Sequence, residues 1–132
     1  MGTFRDLEEA RAYFAGDRFA TVNGMGIDSL DEDGCVCSVD VGPDHRNALG
    51  GVMGGVIFTL SDLAFAAASN HEHSPTVALE SKINFLASSK GTRLTARARR
   101  VKSGRTTCVW QVDVTDDQGR DVALVIFTGY KL

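Results

Sequence analysis

The chain has 132 residues, of which 43% are hydrophobic and 23% are charged, and its formal net charge is −3. This length suits a single domain over residues 1–132 and leaves no room for a separate cofactor domain. The longest uninterrupted apolar runs, 63–68 and 122–127, have six residues each. A membrane-spanning helix needs roughly 18 or more, so a membrane span is excluded. The N-terminus has no apolar segment of signal-peptide length, and the cytoplasm is therefore the expected compartment.

Charged residues are distributed unevenly along the chain. Ten of the 17 acidic residues precede His45, whereas seven of the 14 basic residues lie between Lys90 and Arg105. This basic segment either attracts a phosphate-bearing ligand or forms an ordinary solvated strand face. Because the chain is acidic overall and has no nucleic-acid-binding motif, DNA and RNA are not expected partners.

The three cysteines predict reduced structural thiols. Cys35 and Cys37 lie two residues apart on a predicted strand, and Cys108 is far along the chain. This spacing matches neither a zinc site nor a disulfide framework. We therefore expect no metal site.

The N-terminal half predicts a helix, a hairpin and a second, longer helix. Residues 7–14 have the pattern of a short amphipathic helix, and strands at 19–30 and 35–41 are joined by a turn rich in acidic residues. Residues 54–70 predict the one long helix. This helix is apolar nearly all round, so other elements must enclose it.

Four segments that alternate apolar and polar residues follow the long helix. They are residues 76–87, 92–102, 106–115 and 121–130. The short loops between them predict an antiparallel meander. One buried helix and about six strands together predict an α+β fold in which a sheet wraps around the helix.

The long helix carries an acidic residue, Asp62, in the middle of its apolar sequence. Burial of a lone carboxylate is costly unless the group is paired or functional. Desolvation raises the pKa of such a group, which suits a general base or a carboxylate nucleophile. The alternative is a structural role in which Asp62 bonds a neighbouring backbone amide or hydroxyl.

The same helix begins at a glycine-rich segment, residues 50–55. A helix start without bulky side chains lets a ligand oxygen approach unpaired N–H groups at the positive end of the helix dipole. The alternative is that these glycines only form a tight turn. Gly54 and Asp62 are eight residues apart, or roughly 12 Å along a helix. Both can act on one carbonyl only if a second subunit places its own helix antiparallel to the first.

Three motifs occur in order: Asn47-x-x-Gly50-x-x-Met53-Gly54-Gly55, Leu60-Ser61-Asp62 and Ile83-Asn84-Phe85-Leu86. In these motifs and their spacing, the chain resembles the PaaI-like acyl-CoA thioesterases of the hotdog-fold superfamily over about residues 20 to 130. The resemblance implies a long central helix wrapped by a five- or six-stranded antiparallel sheet. It also implies homodimers that commonly pair into homotetramers. The short N-terminal helix completes the expected fold.

The resemblance also implies roles for individual residues. The backbone N–H of Gly54 would bind the thioester carbonyl, while Asp62 of the partner subunit would activate water or attack the thioester carbon. Asn47 would orient water or the carbonyl, unless it is only a turn residue bonding its own loop. Neither a metal nor a separate cofactor is required, because coenzyme A is part of the substrate.

The substrate-binding residues implied by the resemblance fall into two groups. Met53 and Gly55 flank the oxyanion position, and Met53 stands where many relatives carry a His. Ala66 and Ala78 stand where some relatives carry a hydroxyl. The strand-turn-strand region would contact the phosphates of coenzyme A through Arg100, Lys102, Ser103, Gly104, Arg105 and Thr106.

Other polar and aromatic residues carry weaker predictions. The segment 71–73, which contains two histidines, predicts an exposed polar loop, and His45 lies either at the mouth of the site or on the surface. No Gly-x-Ser-x-Gly motif supports a serine hydrolase. Five large apolar residues either line the acyl pocket or belong to the core: Phe58, Leu63, Phe65, Phe85 and Trp110.

The sequence therefore predicts a cytoplasmic, homo-oligomeric thioester hydrolase that acts on an acyl-CoA. One alternative is a hotdog protein that binds acyl-CoA without catalysis, in which Met53 marks lost chemistry. A further alternative, a hotdog hydratase or dehydratase, needs a His–carboxylate pair, and no His accompanies Asp62 in the helix.

Overall fold

The structure, a computed structural model, describes residues 2–132. The helices are α1 (Leu7–Phe14), α2 (Arg18–Val22) and α3 (Gly54–Glu72), with a short 3₁₀ turn at Pro43–His45. The strands are β1 (Gly26–Leu30), β2 (Gly34–Asp40), β3 (Thr76–Phe85), β4 (Arg93–Ser103), β5 (Thr107–Asp116) and β6 (Asp121–Lys131). This is the predicted α+β arrangement of one long helix, one six-stranded antiparallel sheet and a short N-terminal helix.

The strand order in the sheet is β1-β2-β4-β5-β6-β3. The predicted meander is confirmed for β4, β5 and β6 but is wrong for β3, which pairs with β6 at the far edge. The connection from β3 to β4 crosses the end of the sheet at the β5–β6 turn. There the carboxylate of Asp116 accepts a hydrogen bond from the N–H of Lys90, and that of Asp117 accepts one from Thr92. These bonds favour the crossover over a direct hairpin.

Helix α3 packs against the sheet, and the prediction that it is enclosed is confirmed for the side that faces the strands. Leu60, Ala64 and Ala67 are fully buried, and the two small alanine side chains let the helix approach the sheet closely. They face a layer of buried strand residues that includes Leu94, Ala96, Val112, Val114, Val125 and Phe127. The opposite stripe of α3, which carries Asp62, is only half-buried.

The N-terminal region differs from its prediction. Helix α1 is confirmed, with Asp6 as its N-cap residue, but the predicted strand at 19–30 is wrong because residues 18–22 form α2 and β1 begins only at Gly26. The two elements are separated by Gly24, whose φ of +78° strongly favours glycine. The apolar residues before this turn therefore form a helix despite their local preference for a strand.

Strand β3 forms an edge of the sheet with little cover on either face. Its apolar side chains Val77, Leu79 and Phe85 are exposed, Leu79 to 65%. Edge strands offer unpaired backbone groups for pairing with another chain. Within residues 2–132, no helix is long and apolar enough to cross a membrane.

Candidate active site

The start of α3 carries unpaired backbone donors. Met53 occupies the N-cap position without a side-chain hydrogen bond to the helix, and its side chain is 52% exposed. The Met53 N–H donates to His45 O at 2.9 Å, which anchors the chain just before the helix. The N–H groups of Gly54 and Gly55 have no hydrogen-bond partner in the described part of the chain. They are therefore available to an acceptor atom of a ligand.

A cavity of about 640 Å³ opens at this end of the helix. Its wall includes Asn47, Gly54, Ile57, Phe85, Leu86 and Ser89. The Ser89 hydroxyl is buried and has no hydrogen-bond partner among residues 2–132. Sequence reasoning missed this residue, since nothing in its loop distinguishes one serine from its neighbour.

Asn47 anchors its own loop and also borders the Gly54 cavity. Its Oδ1 atom accepts hydrogen bonds from the N–H groups of Leu49 at 3.0 Å and Gly51 at 3.1 Å, so the turn interpretation is correct for the oxygen. Its Nδ2 atom has no bond within residues 2–132, and the residue lines the cavity beside Gly54. The loop bonds fix the side chain, and the amide nitrogen is left as a donor for a ligand.

Asp62 lies two turns further along α3 on its half-buried stripe. Its carboxylate forms no hydrogen bond or ion pair within residues 2–132, so the partner that the structural alternative requires is not found among them. Burial raises the pKa of Asp62, and the negative charge of Asp17 raises it further. Both effects favour the protonated carboxyl, and the ionised form is therefore a stronger base than an exposed aspartate.

Asp62 opens into a second cavity, of about 410 Å³, which does not include Gly54. Phe58, Thr59 and Leu63 of α3 form one wall of this cavity, and the segment from Gly16 to Ala20 forms another. One chain therefore does not bring its own Gly54 and Asp62 to a common point. This matches the separation along the helix that the sequence predicts.

The predicted phosphate-binding region lies at the opposite end of α3 from Gly54, roughly 27 Å along the helix axis. Arg100 and Ser103 are engaged with Glu72, each at 2.8 Å. The backbone of Gly104 closes a tight turn by donating to Thr107 O at 2.8 Å. Of the charged residues assigned here, Lys102 and Arg105 form no ion pair within residues 2–132.

The histidines differ from their predictions. His45 is neither exposed nor at the mouth of a cavity: it is buried, its Nδ1 atom accepts from Gly42 N–H at 2.9 Å, and its Nε2 atom contacts Asn23 O at 2.8 Å. Residues 71 and 72 form the last turn of α3 rather than an exposed loop, and all of 71–73 is partly buried. The longer helix is stabilised by the stacking of His71 on Phe4.

The five large apolar residues divide between the core and the cavities. Phe65 and Trp110 are buried in the core, whereas Phe58, Leu63 and Phe85 line the two cavities. Ala66 and Ala78 supply no hydroxyl. Residues 2–132 contain no group of three or more His, Cys, Asp or Glu side chains that could hold a metal ion.

Comparison with known proteins places the chain in a family. A model of the thioesterase superfamily matches residues 49–123. Acyl-coenzyme A thioesterase PaaI of Escherichia coli is 33% identical over 118 residues, which cover 89% of this chain and 84% of PaaI. A putative esterase of Archaeoglobus fulgidus is 36% identical over 90 residues, 67% of this chain and 58% of that protein.

Solved structures agree with this placement. The E. coli PaaI protein superposes with a TM-score of 0.88 at 30% identity, over 95% of this chain and 91% of that one. A hypothetical thioesterase protein with coenzyme A from Streptococcus pneumoniae gives a TM-score of 0.82 at 31% identity, over 90% and 94% of the two chains. The chain therefore belongs to the thioesterase superfamily, as a PaaI-like member with the hotdog fold, and is a thioester hydrolase.

Proposed function

We propose that the protein hydrolyses an acyl-CoA to a free carboxylic acid and coenzyme A, at a site shared by two subunits. The observation that carries this proposal is that α3 presents two unpartnered groups, the Gly54 N–H and the Asp62 carboxylate, in different cavities. An oxyanion donor and a base are the parts that thioester hydrolysis requires. The E. coli relative is named acyl-coenzyme A thioesterase PaaI, and this name supports coenzyme A as the thiol carrier.

The second subunit completes the site through strand β3. Pairing of this exposed edge with its copy would extend the sheet and cover the apolar side chains on β3. It would also place the two α3 helices antiparallel, so that Gly54 of one subunit lies opposite the partner subunit's Asp62. The protein is then a homodimer, or a homotetramer built from two such dimers.

Hydrolysis follows from this geometry. The thioester carbonyl oxygen accepts a hydrogen bond from the Gly54 N–H, and the partner's Asp62 removes a proton from water. The resulting hydroxide attacks the carbonyl carbon, and the Gly54 N–H stabilises the oxyanion that forms. The C–S bond then breaks, coenzyme A leaves as a thiolate, and the proton held by Asp62 is returned to the products. The raised pKa of Asp62 suits this base role.

Asn47 and Ser89 supply the remaining polar contacts in the Gly54 cavity. The Nδ2 atom of Asn47 orients the carbonyl or the water, and the buried Ser89 hydroxyl provides a further donor and acceptor. Met53 and Gly55 border the path of the substrate. No metal or redox group takes part in these steps, and coenzyme A enters as part of the substrate.

The phosphate end of coenzyme A is assigned to the β4–β5 turn of the partner. In the antiparallel dimer this turn lies at the same end of the assembly as Gly54. Lys102 and Arg105 supply the unpaired cations, while the Thr106 hydroxyl and the backbone of Gly104 complete the turn. Arg100 and Ser103 position this turn through Glu72. The cytoplasm is the compartment proposed for the enzyme.

One observation favours a second candidate function, binding of acyl-CoA without catalysis. The Met53 side chain has no hydrogen-bond donor, although the residue stands beside the Gly54 N–H. In that case, Asp62 would have no role in turnover. The two functions differ in a single measurable property, the release of free thiol.

The test is thiol release from a panel of aromatic and aliphatic acyl-CoAs by the wild type and by the Asp62→Asn variant. Asparagine keeps the shape of the side chain but cannot accept the proton. A fall in kcat of roughly 10² or more, with the oligomer retained, is the expected result. Binding of acyl-CoA without turnover by the wild type would establish the second candidate instead.

A single turnover in ¹⁸O-labelled water tests for direct attack by Asp62, because water that hydrolyses an acyl-Asp62 anhydride at the Asp62 carbonyl leaves its label in the protein. The water route places the label in the carboxylic acid product and never in the protein. Mass spectrometry of the Asp62 peptide after one turnover therefore shows no label. Label in that peptide would overturn the base mechanism in favour of direct attack.

A further inference from the structure

The cavity beside Asp62 contains a second acidic residue, Asp17, from the turn that precedes α2. Neither carboxylate forms a hydrogen bond or an ion pair within residues 2–132. The other wall residues from the turn and α2 are Gly16, Arg18, Phe19 and Ala20. Two aspartates from different elements thus share one cavity, although nothing in the proposed reaction uses Asp17.

The conformation of Asp17 is unusual for its position. It is the N-cap residue of α2, where aspartate ordinarily accepts a hydrogen bond from the first turn of the helix. Asp6 does this at the start of α1, accepting from Glu9 N–H at 2.9 Å. Asp17 makes no such bond. Its carboxylate is therefore not committed to its own helix.

We propose that Asp17 is a positioning residue of the active site, a second carboxylate that shares the cavity of Asp62 and makes it a stronger proton acceptor. This inference rests on the proposed function, in which Asp62 is the base. Asp62 is half-buried and Asp17 is exposed at the same cavity, where the negative charge of Asp17 opposes ionisation of Asp62. The effect of Asp17 on Asp62 is second to that of burial and has the same direction.

Charged groups around this cavity are few. Asp17 and Arg18 come from the turn and from α2, and α3 contributes Asp62 itself. Arg18 borders the same cavity and forms no ion pair in the described chain. Asp17 is the charged group that acts on the pKa of Asp62. Because Asp17 is negative, we expect it to raise that pKa.

The dependence of kcat/KM on pH tests this role. Hydrolysis requires ionised Asp62, so activity falls on the acidic side as pH drops through the pKa of Asp62. Asp17→Asn removes the opposing charge and lowers that pKa. The acidic limb of the pH profile, where activity falls as pH drops, therefore moves to lower pH. Asp17→Glu keeps the charge and returns the limb toward the wild-type position. Asp6→Asn removes one carboxylate from the N-cap of α1, and we expect it to leave the acidic limb at its wild-type pH.

A limb that stays in place in Asp17→Asn would overturn the proposal. A fall in activity at every pH without movement of the limb would also overturn it, since that result indicates a merely structural role. The Asp17→Glu variant guards against misreading a folding defect, because it preserves the charge in a side chain of similar shape.

A second readout does not depend on turnover. The Asp62 Cγ resonance, followed by carbon-detected NMR during a pH titration, reports ionisation of this carboxyl directly. We expect its midpoint to fall in Asp17→Asn relative to the wild type, and an unchanged midpoint contradicts the proposal. If the wild type hydrolyses no acyl-CoA, this titration still decides the role of Asp17 separately from the proposed function.

Discussion

The ring of Phe85 lies against the first residue of the long helix, because a Cβ atom on Gly54 would come within 3.0 Å of the Phe85 Cζ atom. Gly54→Ala therefore displaces either the ring or the start of the helix. If the helix start moves, the N–H proposed to bind the thioester carbonyl moves with it, and small displacements of such donors are costly. We expect kcat to fall about tenfold or more, measured as thiol release at saturating acyl-CoA.

The neighbouring glycine provides a matched control. A Cβ atom on Gly55 would meet its nearest neighbour, Met53 Cγ, only at 4.0 Å, so Gly55→Ala should not disturb the position of the donor. Replacing Phe85 by Leu in the Gly54→Ala background should restore part of the lost activity. Equal effects of the two single glycine variants would show that the contact with Phe85 is unimportant.

A second prediction separates the two roles of Asn47. Asn47→Asp retains an oxygen that can accept from Leu49 and Gly51 but removes the Nδ2 donor. We expect a loss of about tenfold or more in kcat with little change in Tm. Asn47→Ala removes the loop bonds as well and should also lower Tm, measured by thermal unfolding. Full activity of Asn47→Asp would show that this residue only anchors its loop.

A third prediction concerns the phosphates of coenzyme A. Replacing Lys102 and Arg105 by Gln removes the two unpaired cations of the β4–β5 turn, so KM for acyl-CoA should rise about tenfold or more while kcat changes little. An acyl-pantetheine has no nucleotide, and its KM should be unaffected. Arg97→Gln, which removes an exposed cation from β4 outside the turn, serves as the control. A parallel rise in KM for both substrates would place the nucleotide elsewhere.

Sequence reasoning located Asp62 because a carboxylate is costly in an apolar helix unless it has a function or a partner. It located Gly54 because a helix that starts at glycines either forms a tight turn or leaves its N–H groups open to a ligand. Both features can be read from the sequence without coordinates. The separation of the two residues along one helix also predicted correctly that a single chain does not join them.

The features that sequence reasoning missed depend on contacts between distant segments. The position of β3 beside β6 is favoured by carboxylates of the β5–β6 turn that bind the β3–β4 connection, and no local pattern encodes that choice. The apolar residues before Gly24 predict a strand, although they form α2. Asp17 was missed for the same reason, because only the fold brings this residue to the cavity of Asp62.

A fourth prediction tests the edge of the sheet as the subunit interface. Leu79→Lys places a charge on the exposed edge of β3, where charged side chains oppose strand pairing. We expect the variant to be monomeric by light scattering and to lose thioesterase activity. Val101→Lys changes a similarly exposed apolar residue on β4, away from that edge, and should leave the oligomer intact. A Leu79→Lys variant that stays oligomeric would exclude β3 as the essential contact.

The last prediction tests directly whether each site takes Gly54 from one subunit and Asp62 from the other. Asp62→Asn and Gly54→Val should each be inactive as homo-oligomers. In a mixed dimer of the two, one site combines the intact Gly54 of one chain with the intact Asp62 of the other, whereas the second site lacks both. Random assortment on co-expression in equal amounts makes half of the dimers mixed, so activity should return to about a quarter of the wild-type value. If both groups of a site came from one chain, every site in the mixture would carry a defect and no activity would return.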